Sequence, residues 1–142
     1  MEFEYVAEWF QFADMDLASA DYLQGLLPQP LEIICYHCQQ SVEKYLKGYL
    51  IYHGIDEPPK IHNLVELCES CSTFDERFNE LSKFCGVLTR YGVGPRYPRE
   101  MEVSEHDMRK ALEYAHQIRD SEPLVSLRNE IPQYNEMTKE QV

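Results

Sequence analysis

Apolar residues recur at intervals of three and four along several segments of the chain, the spacing that amphipathic helices show. The first such segment runs from Phe3 to Gln24 and stops at Gly25. The second runs from Leu31 to His53, after the helix-breaking Pro28-Gln29-Pro30, and ends at Gly54. Both segments are long enough to predict helices that bury one face.

Three further helices follow from the same pattern. A short helix is predicted from Asn63 to Cys71, and a third long helix from about Phe74 towards Tyr91, ended by Gly92-Val93-Gly94-Pro95. The fourth long helix begins near Ser104, which together with Asp107 resembles a capping box.

The remainder of the chain lacks this periodicity. From Glu122 onward it is polar and contains Pro123 and Pro132, which predicts an arm or a disordered tail with at most one further helical turn. We therefore expect one helical domain over residues 1–120 and a polar C-terminal arm over 121–142. The fold class is all-α, an antiparallel up-and-down four-helix bundle with a short extra helix between helices 2 and 3.

The second predicted helix carries an unusual polar face over residues 36–47, which read YHCQQSVEKYLK. At 100° per residue, Leu31, Cys35 and Val42 fall on an apolar side. Amide, imidazole and ammonium groups fall on the opposite side. They belong to His37, Gln40, Lys44 and Lys47, with Tyr36 and Glu43 at the margins. Such a row can hold a phosphate or a base edge, or it is only a solvated face.

The charge of the chain limits its partners. It has 13 Lys and Arg against 25 Asp and Glu, a net charge of −12. This charge disfavours a protein that binds nucleic acid nonspecifically over its whole surface, because phosphate affinity comes from cations that neutralise the phosphates. Residues 1–30 hold six acids and no base, whereas residues 90–99 hold Arg90, Arg96 and Arg99 and no acid. This distribution fits a local anion site on an acidic body, or arginines that only improve solubility.

Neither a membrane span nor a metal site is expected. No run of eighteen apolar residues exists, and the acidic N-terminus is unlike a signal peptide, so a cytoplasmic location is predicted. Two C-x-x-C pairs, Cys35/Cys38 and Cys68/Cys71, suggest zinc. The first pair, however, lies on an apolar helix face, and neither pair has the Gly or Pro of a zinc knuckle. Buried free thiols are therefore favoured, and no cofactor is expected.

Two more segments carry candidate chemistry. His62 opens the short helix within Ile-His-Asn-Leu, where a histidine on its own would cap or pack. Arg96 lies between Pro95 and Tyr97-Pro98, which stiffen its backbone. A guanidinium held in this way suits bidentate contact with phosphate, and equally well with an Asp or Glu of the bundle.

Together these segments resemble the HEPN domain family. Its members have Q-Q-x-x-E-K-x-L-K on the second helix, a T-H-x-L-like segment, and R-Y-P before the last helix. This chain has YHCQQSVEKYLKGYL, IHNL and RYP, within a resemblance that covers about residues 13–118. The resemblance implies an all-helical bundle, usually dimeric, concerned with nucleotides or RNA. Members often pair with a small nucleotidyltransferase, and several are metal-independent endoribonucleases of toxin–antitoxin systems.

The leading hypothesis is a noncatalytic domain that binds a nucleotide or RNA, works as a homodimer and has a nucleotidyltransferase partner. Lysine and arginine would hold phosphate, and a tyrosine would stack on a base. The expected ligand-binding residues are Gln40, Lys44, Lys47, His62, Arg96 and Tyr97.

Two alternatives stay open. The ribonuclease branch of the family has Arg, four to six residues, then His, which Arg99 with His106 and Arg109 with His116 match. About 0.7 such matches are expected by chance in a chain of this composition, so two matches are weak evidence. In that reading His106 is the catalytic base or acid and Arg99 the phosphorane clamp. The other alternative is a scaffold braced by an internal ion-pair network. That network would comprise Glu43, Lys44, Lys47, His62 and Arg96.

Overall fold

The computed structural model describes residues 3–55, 60–92, 102–132 and 134. Within these ranges the chain forms α-helices and two short 3-10 helices, and no strand. The α-helices are α1 (Phe3–Leu23), α2 (Leu31–Tyr52), α3 (Leu64–Ser72), α4 (Ser82–Leu88), α5 (Glu105–Arg119) and α6 (Glu122–Glu130). The 3-10 helices are Glu76–Leu81 and Thr89–Tyr91. The predicted all-α class is confirmed.

The predicted helix starts and ends agree with the structure wherever a capping residue marks them. Asn63 is the N-cap of α3, and its side chain accepts from the backbone N–H of Val65 and Glu66. Ser104 and Asp107 form the predicted capping box at the start of α5. At the end of α2, Gly54 adopts a φ of 99°, which a residue without Cβ tolerates best.

The segment predicted as one long helix from Phe74 to Tyr91 is helical from Glu76 to Tyr91, but only its middle is an α-helix. The segment is divided into the 3-10 helix Glu76–Leu81, the seven-residue α4 and the 3-10 helix Thr89–Tyr91. Asp75 caps its first turn by accepting from the Arg77 N–H. Asn79, Ser82 and Gly86 are poor helix formers, so tertiary packing of the apolar positions decides the local winding.

The prediction of at most one helical turn after Glu122 is wrong. The chain continues as α6, a nine-residue helix with Pro123 in its first turn, where proline is tolerated. Leu124 and Leu127 are buried, and Ile131 just beyond the helix is buried too. Burial of these apolar side chains stabilises a helix that the polar sequence of the segment did not predict.

Helix α2 lies at the centre of the fold. It packs along α1 and also contacts α3, α5 and α6. A Cβ at Gly48 would lie 2.8 Å from the Phe10 ring, so the glycine permits the close approach of α1. Tyr45, also on α2, is fully buried and donates its hydroxyl to Asp14, a carboxylate that Tyr134 and Arg119 also contact.

All five cysteines are buried free thiols, as the apolar face of the second helix predicted for the first pair. Desolvation by burial raises the pKa of the Cys35 thiol to about 12. No described helix has the length and apolar content that a membrane crossing needs.

Candidate functional site

A buried carboxylate organises one half of the polar face of α2. Glu43 accepts from Gln39 Nε2 at 3.1 Å and from Lys47 Nζ at 3.1 Å, and His62 Nδ1 lies 3.3 Å from both of its oxygens. We call Gln39, Glu43, Lys47 and His62 the Glu43 cluster. The side chains of Glu43 and Lys47 are 8% and 7% exposed, so their charges compensate one another away from water.

The imidazole is the solvent-facing member of the Glu43 cluster. The side chain of His62 is 75% exposed, although its Nδ1 contacts the buried Glu43. Gln39 Nε2 also contacts the His62 backbone oxygen at 3.4 Å, and the next residue, Asn63, caps α3. Contacts on both sides thus hold an exposed ring in a defined place, with Nε2 directed away from the Glu43 contact.

A second carboxylate organises the other half of the polar face, on the side of α1. Asp16 contacts His37 Nδ1 at 3.0 Å and accepts a hydrogen bond from Lys44 Nζ. We call Asp16, His37 and Lys44 the Asp16 cluster. Lys44 and His37 are 26% and 29% exposed, so both can reach a ligand, and Asp16 balances the charge of Lys44.

Gln40 lies between the two clusters and is tied to the first. Its Nε2 donates to Gln39 Oε1 at 2.7 Å, and its side chain is partly exposed. The polar face therefore carries two hydrogen-bonded groups, the Glu43 cluster with Gln40 and the Asp16 cluster, and Gln40, Lys44 and His62 reach the surface. Lys47 does not, so the expectation that it faces solvent is wrong. It lies deeper because α3 and the residues before it cover that side of α2.

The predicted arginine segment begins beside this network. A Cβ on Gly92 would lie 3.1 Å from Gln39 Nε2, which places the last residue before segment 93–101 against the Glu43 cluster. Arg96, Tyr97 and Arg99 lie outside the described residues. Arg90 is exposed, with its guanidinium 5.1 Å from the ring of the buried Tyr91.

Of the two predicted Arg and His pairs, the structure describes both members of only the second, Arg109 with His116. His106 is exposed in the first turn of α5, and its predicted partner Arg99 falls in segment 93–101. Arg109 is paired with Glu105 at 2.8 Å, whereas His116 lies 2.9 Å from Asp21. That hydrogen bond to Asp21 raises the pKa of His116.

Sequence reasoning placed His37 in the polar row but not among the expected ligand-binding residues, and it gave no binding role to Gln39 or Asp16, although these residues organise the two clusters. Gln39 is fully buried and links Gln40, Glu43 and His62. The pair of adjacent glutamines in the second helix was the available signal for it. Asp16 belongs to the Asp16-Leu17-x-x-Ala20 spacing of the family resemblance, but its pairing with Lys44 could not be predicted, because only packing of α1 on α2 joins residues 28 positions apart.

No group of three or more His, Cys, Asp or Glu among the described residues is placed to hold a metal ion.

A family model described as HEPN domain matches residues 6–123, which is most of the chain. No curated protein and no solved structure matches the chain.

Proposed function

This chain belongs to the HEPN domain family, and on that premise we propose that it binds a nucleotide or RNA on the polar face of α2. In this proposal it is a cytoplasmic homodimer with an up-and-down four-helix bundle as its scaffold. It acts with a nucleotidyltransferase partner in a two-component system of the toxin–antitoxin kind.

One observation supports the proposal: Gln40, Lys44 and His62 present nitrogen donors at the surface while buried or partly buried groups hold them in place. Gln40 is held by Gln39, Lys44 by Asp16 and His62 by Glu43. Donors held in this way lose little conformational entropy when a ligand binds, which favours recognition over a mobile solvated surface. Lys47 takes a positioning role, because its ammonium is bonded to Glu43 below the surface.

The net positive charge that a phosphate needs comes from the arginines. Asp16 balances Lys44 and Glu43 balances Lys47, so the lysines add donors but little net charge. Arg90 is exposed two residues before Gly92, which packs against Gln39. Arg96 and Tyr97 follow Gly92 by four and five residues in the sequence. In the proposal these arginines hold phosphate, and Tyr97 stacks on a base.

Fluorescence anisotropy with a labelled single-stranded RNA of about 12 nucleotides tests the proposal. Arg96→Ala and Lys44→Ala should each weaken binding by about 10- to 150-fold, which corresponds to the loss of one charge-assisted hydrogen bond. The matched control is Lys110→Ala, an exposed lysine of α5 paired with Glu113, which should bind like wild type. Negligible binding by wild type, for RNA and for ATP alike, would refute the proposal.

The homodimer has a candidate contact surface around the α1–α2 turn. Five large apolar side chains are between 44% and 90% exposed there, namely Met15, Tyr22, Leu26, Leu27 and Ile33. None of the five is charged, so two copies that meet through them would bury apolar area and no charge from these side chains. Leu27→Glu should shift the mass measured by light scattering from dimer towards monomer, whereas an unchanged mass would exclude this surface.

A second candidate function is RNA cleavage, favoured by the exposed His106 imidazole at the start of α5. Arg99 precedes Glu102, the first described residue of this segment, by three positions in the sequence. His106 as base or acid and Arg99 as clamp could support metal-independent transesterification. Cleavage of RNA by wild type in the presence of EDTA, lost in His106→Ala, would establish the enzyme. If RNA stays intact with both wild type and His106→Ala, the cleavage hypothesis is refuted and the proposal of a noncatalytic binding domain remains.

A further inference from the structure

A small cavity opens on the outer side of the α1–α2 contact, next to the Asp16 cluster. Its volume is about 290 Å³, and it is lined by Tyr5, Glu8, Trp9, Phe12 and Lys44. Tyr5 and Trp9 meet edge to face, with ring centroids 6.2 Å apart and an interplanar angle of 73°. Three of the five lining residues are therefore aromatic, and one of them, Phe12, is 58% exposed.

The polar groups at this cavity are few and of complementary kinds. Glu8 is exposed and offers a carboxylate acceptor, whereas Lys44 offers ammonium N–H donors beyond the one that Asp16 accepts. The indole Nε1 of Trp9 is buried and has no hydrogen-bond partner among the described residues.

The charge and the volume of the cavity limit the kinds of ligand that it can bind. Lys44 contributes one positive charge and Asp16 and Glu8 one negative charge each, so the cavity environment does not favour a phosphate. Aromatic walls with one acceptor and a few donors suit an uncharged planar ring that has both donors and acceptors on its edge. The volume lies at the lower end of small-ligand pockets, which fits a single ring system.

We propose that this cavity receives one purine base of a bound RNA. The base stacks among Tyr5, Trp9 and Phe12, its amino or imino N–H donates to Glu8, and its ring or carbonyl acceptor receives a hydrogen bond from Lys44. The proposal rests on the proposed RNA binding and extends it, since Lys44 belongs both to the cavity and to the polar face of α2. The phosphates next to this base then follow the polar face of α2 towards the exposed Arg90.

The composition of the chain offers a direct reporter, because Trp9 is its one tryptophan. Intrinsic fluorescence of the full chain would be titrated with an oligoadenylate and with an abasic oligoribose-phosphate of equal length. The oligoadenylate should quench Trp9, whereas the abasic probe should not. Phe12→Ala should weaken oligoadenylate binding by about 5- to 150-fold, the range for loss of one stacking partner. Phe74→Ala, an exposed phenylalanine outside the cavity, is the matched control and should bind normally.

These measurements distinguish failure of the base site from failure of the proposed RNA binding. Anisotropy that shows RNA bound, with unchanged Trp9 fluorescence and unchanged affinity in Phe12→Ala, would overturn the base site and leave the proposed function standing. Absence of RNA binding would overturn both. Trp9 quenching by an arginine-containing peptide but not by RNA would assign the cavity to a protein partner and overturn the base site. Glu8→Gln gives a second test. The side chain of Glu8 is exposed, so the substitution should not unfold the chain. It should lower the preference of the protein for oligoadenylate over oligouridylate.

Discussion

The buried pair of Lys47 and Glu43 gives the sharpest test of how the polar face of α2 is built. We predict that Lys47→Met destabilises the fold, because it leaves the Glu43 carboxylate buried with one cation fewer. The two side chains are 7% and 8% exposed and lie 3.1 Å apart, nitrogen to oxygen. Breaking a buried pair by removing one partner costs about 3–5 kcal/mol of unfolding free energy.

The remaining contacts of Glu43 set the expected value near the lower end of that range. Gln39 still donates to the carboxylate, and His62 still lies 3.3 Å from it. We therefore expect a loss of about 3 kcal/mol, which corresponds to a fall in Tm of about 10 °C for a chain of this size. The double variant Glu43→Gln with Lys47→Met removes both charges of this pair, so it should cost clearly less than the two single changes added together.

Urea unfolding followed by circular dichroism measures these differences. The matched control is Lys110→Met, whose partner Glu113 is about half exposed, and its midpoint should equal that of wild type. Additive losses in the cycle, within about 0.5 kcal/mol, would show that Lys47 and Glu43 do not stabilise each other. The description of the Glu43 cluster as a charge-compensated site would then be wrong.

Three further predictions concern the fold. Since the hydrogen bond to Asp21 raises the pKa of His116 above its ordinary value of 6.5, the pair stabilises the native state below that pH and loses its effect as pH rises through the native pKa. The stability difference between wild type and His116→Gln should thus be larger at about pH 5.5 than at about pH 9, and equal differences would contradict it. Gly48→Ala should cost about 1–3 kcal/mol in urea unfolding, because its Cβ would lie 2.8 Å from the Phe10 ring, and an unchanged midpoint would show that α1 can shift. Asn63→Ala should lower stability by about 1 kcal/mol through loss of the α3 cap, whereas Asn63→Asp should retain it.

The helical pattern and the capping residues in the sequence were sufficient to predict the two long helices and the starts of α3 and α5. The family motif on the second helix was also visible in the sequence. These features are local, since each depends on residues within a few turns of one another. The same locality explains the errors at the third long helix and at α6. In both segments the winding follows from which side chains the core buries, and the sequence pattern of a short segment does not contain that information.

Only the tertiary structure decided which polar groups on α2 reach solvent. Helical spacing alone assigned Lys47 to an exposed face, but α2 is central and is covered on several sides, so Lys47 and Gln39 are buried in a hydrogen-bonded network. The partner Asp16 and the aromatic cavity beside Lys44 arise from the packing of α1 on α2. A polar residue's role here depends on what neighbouring helices place against it, and those contacts join residues far apart in the chain.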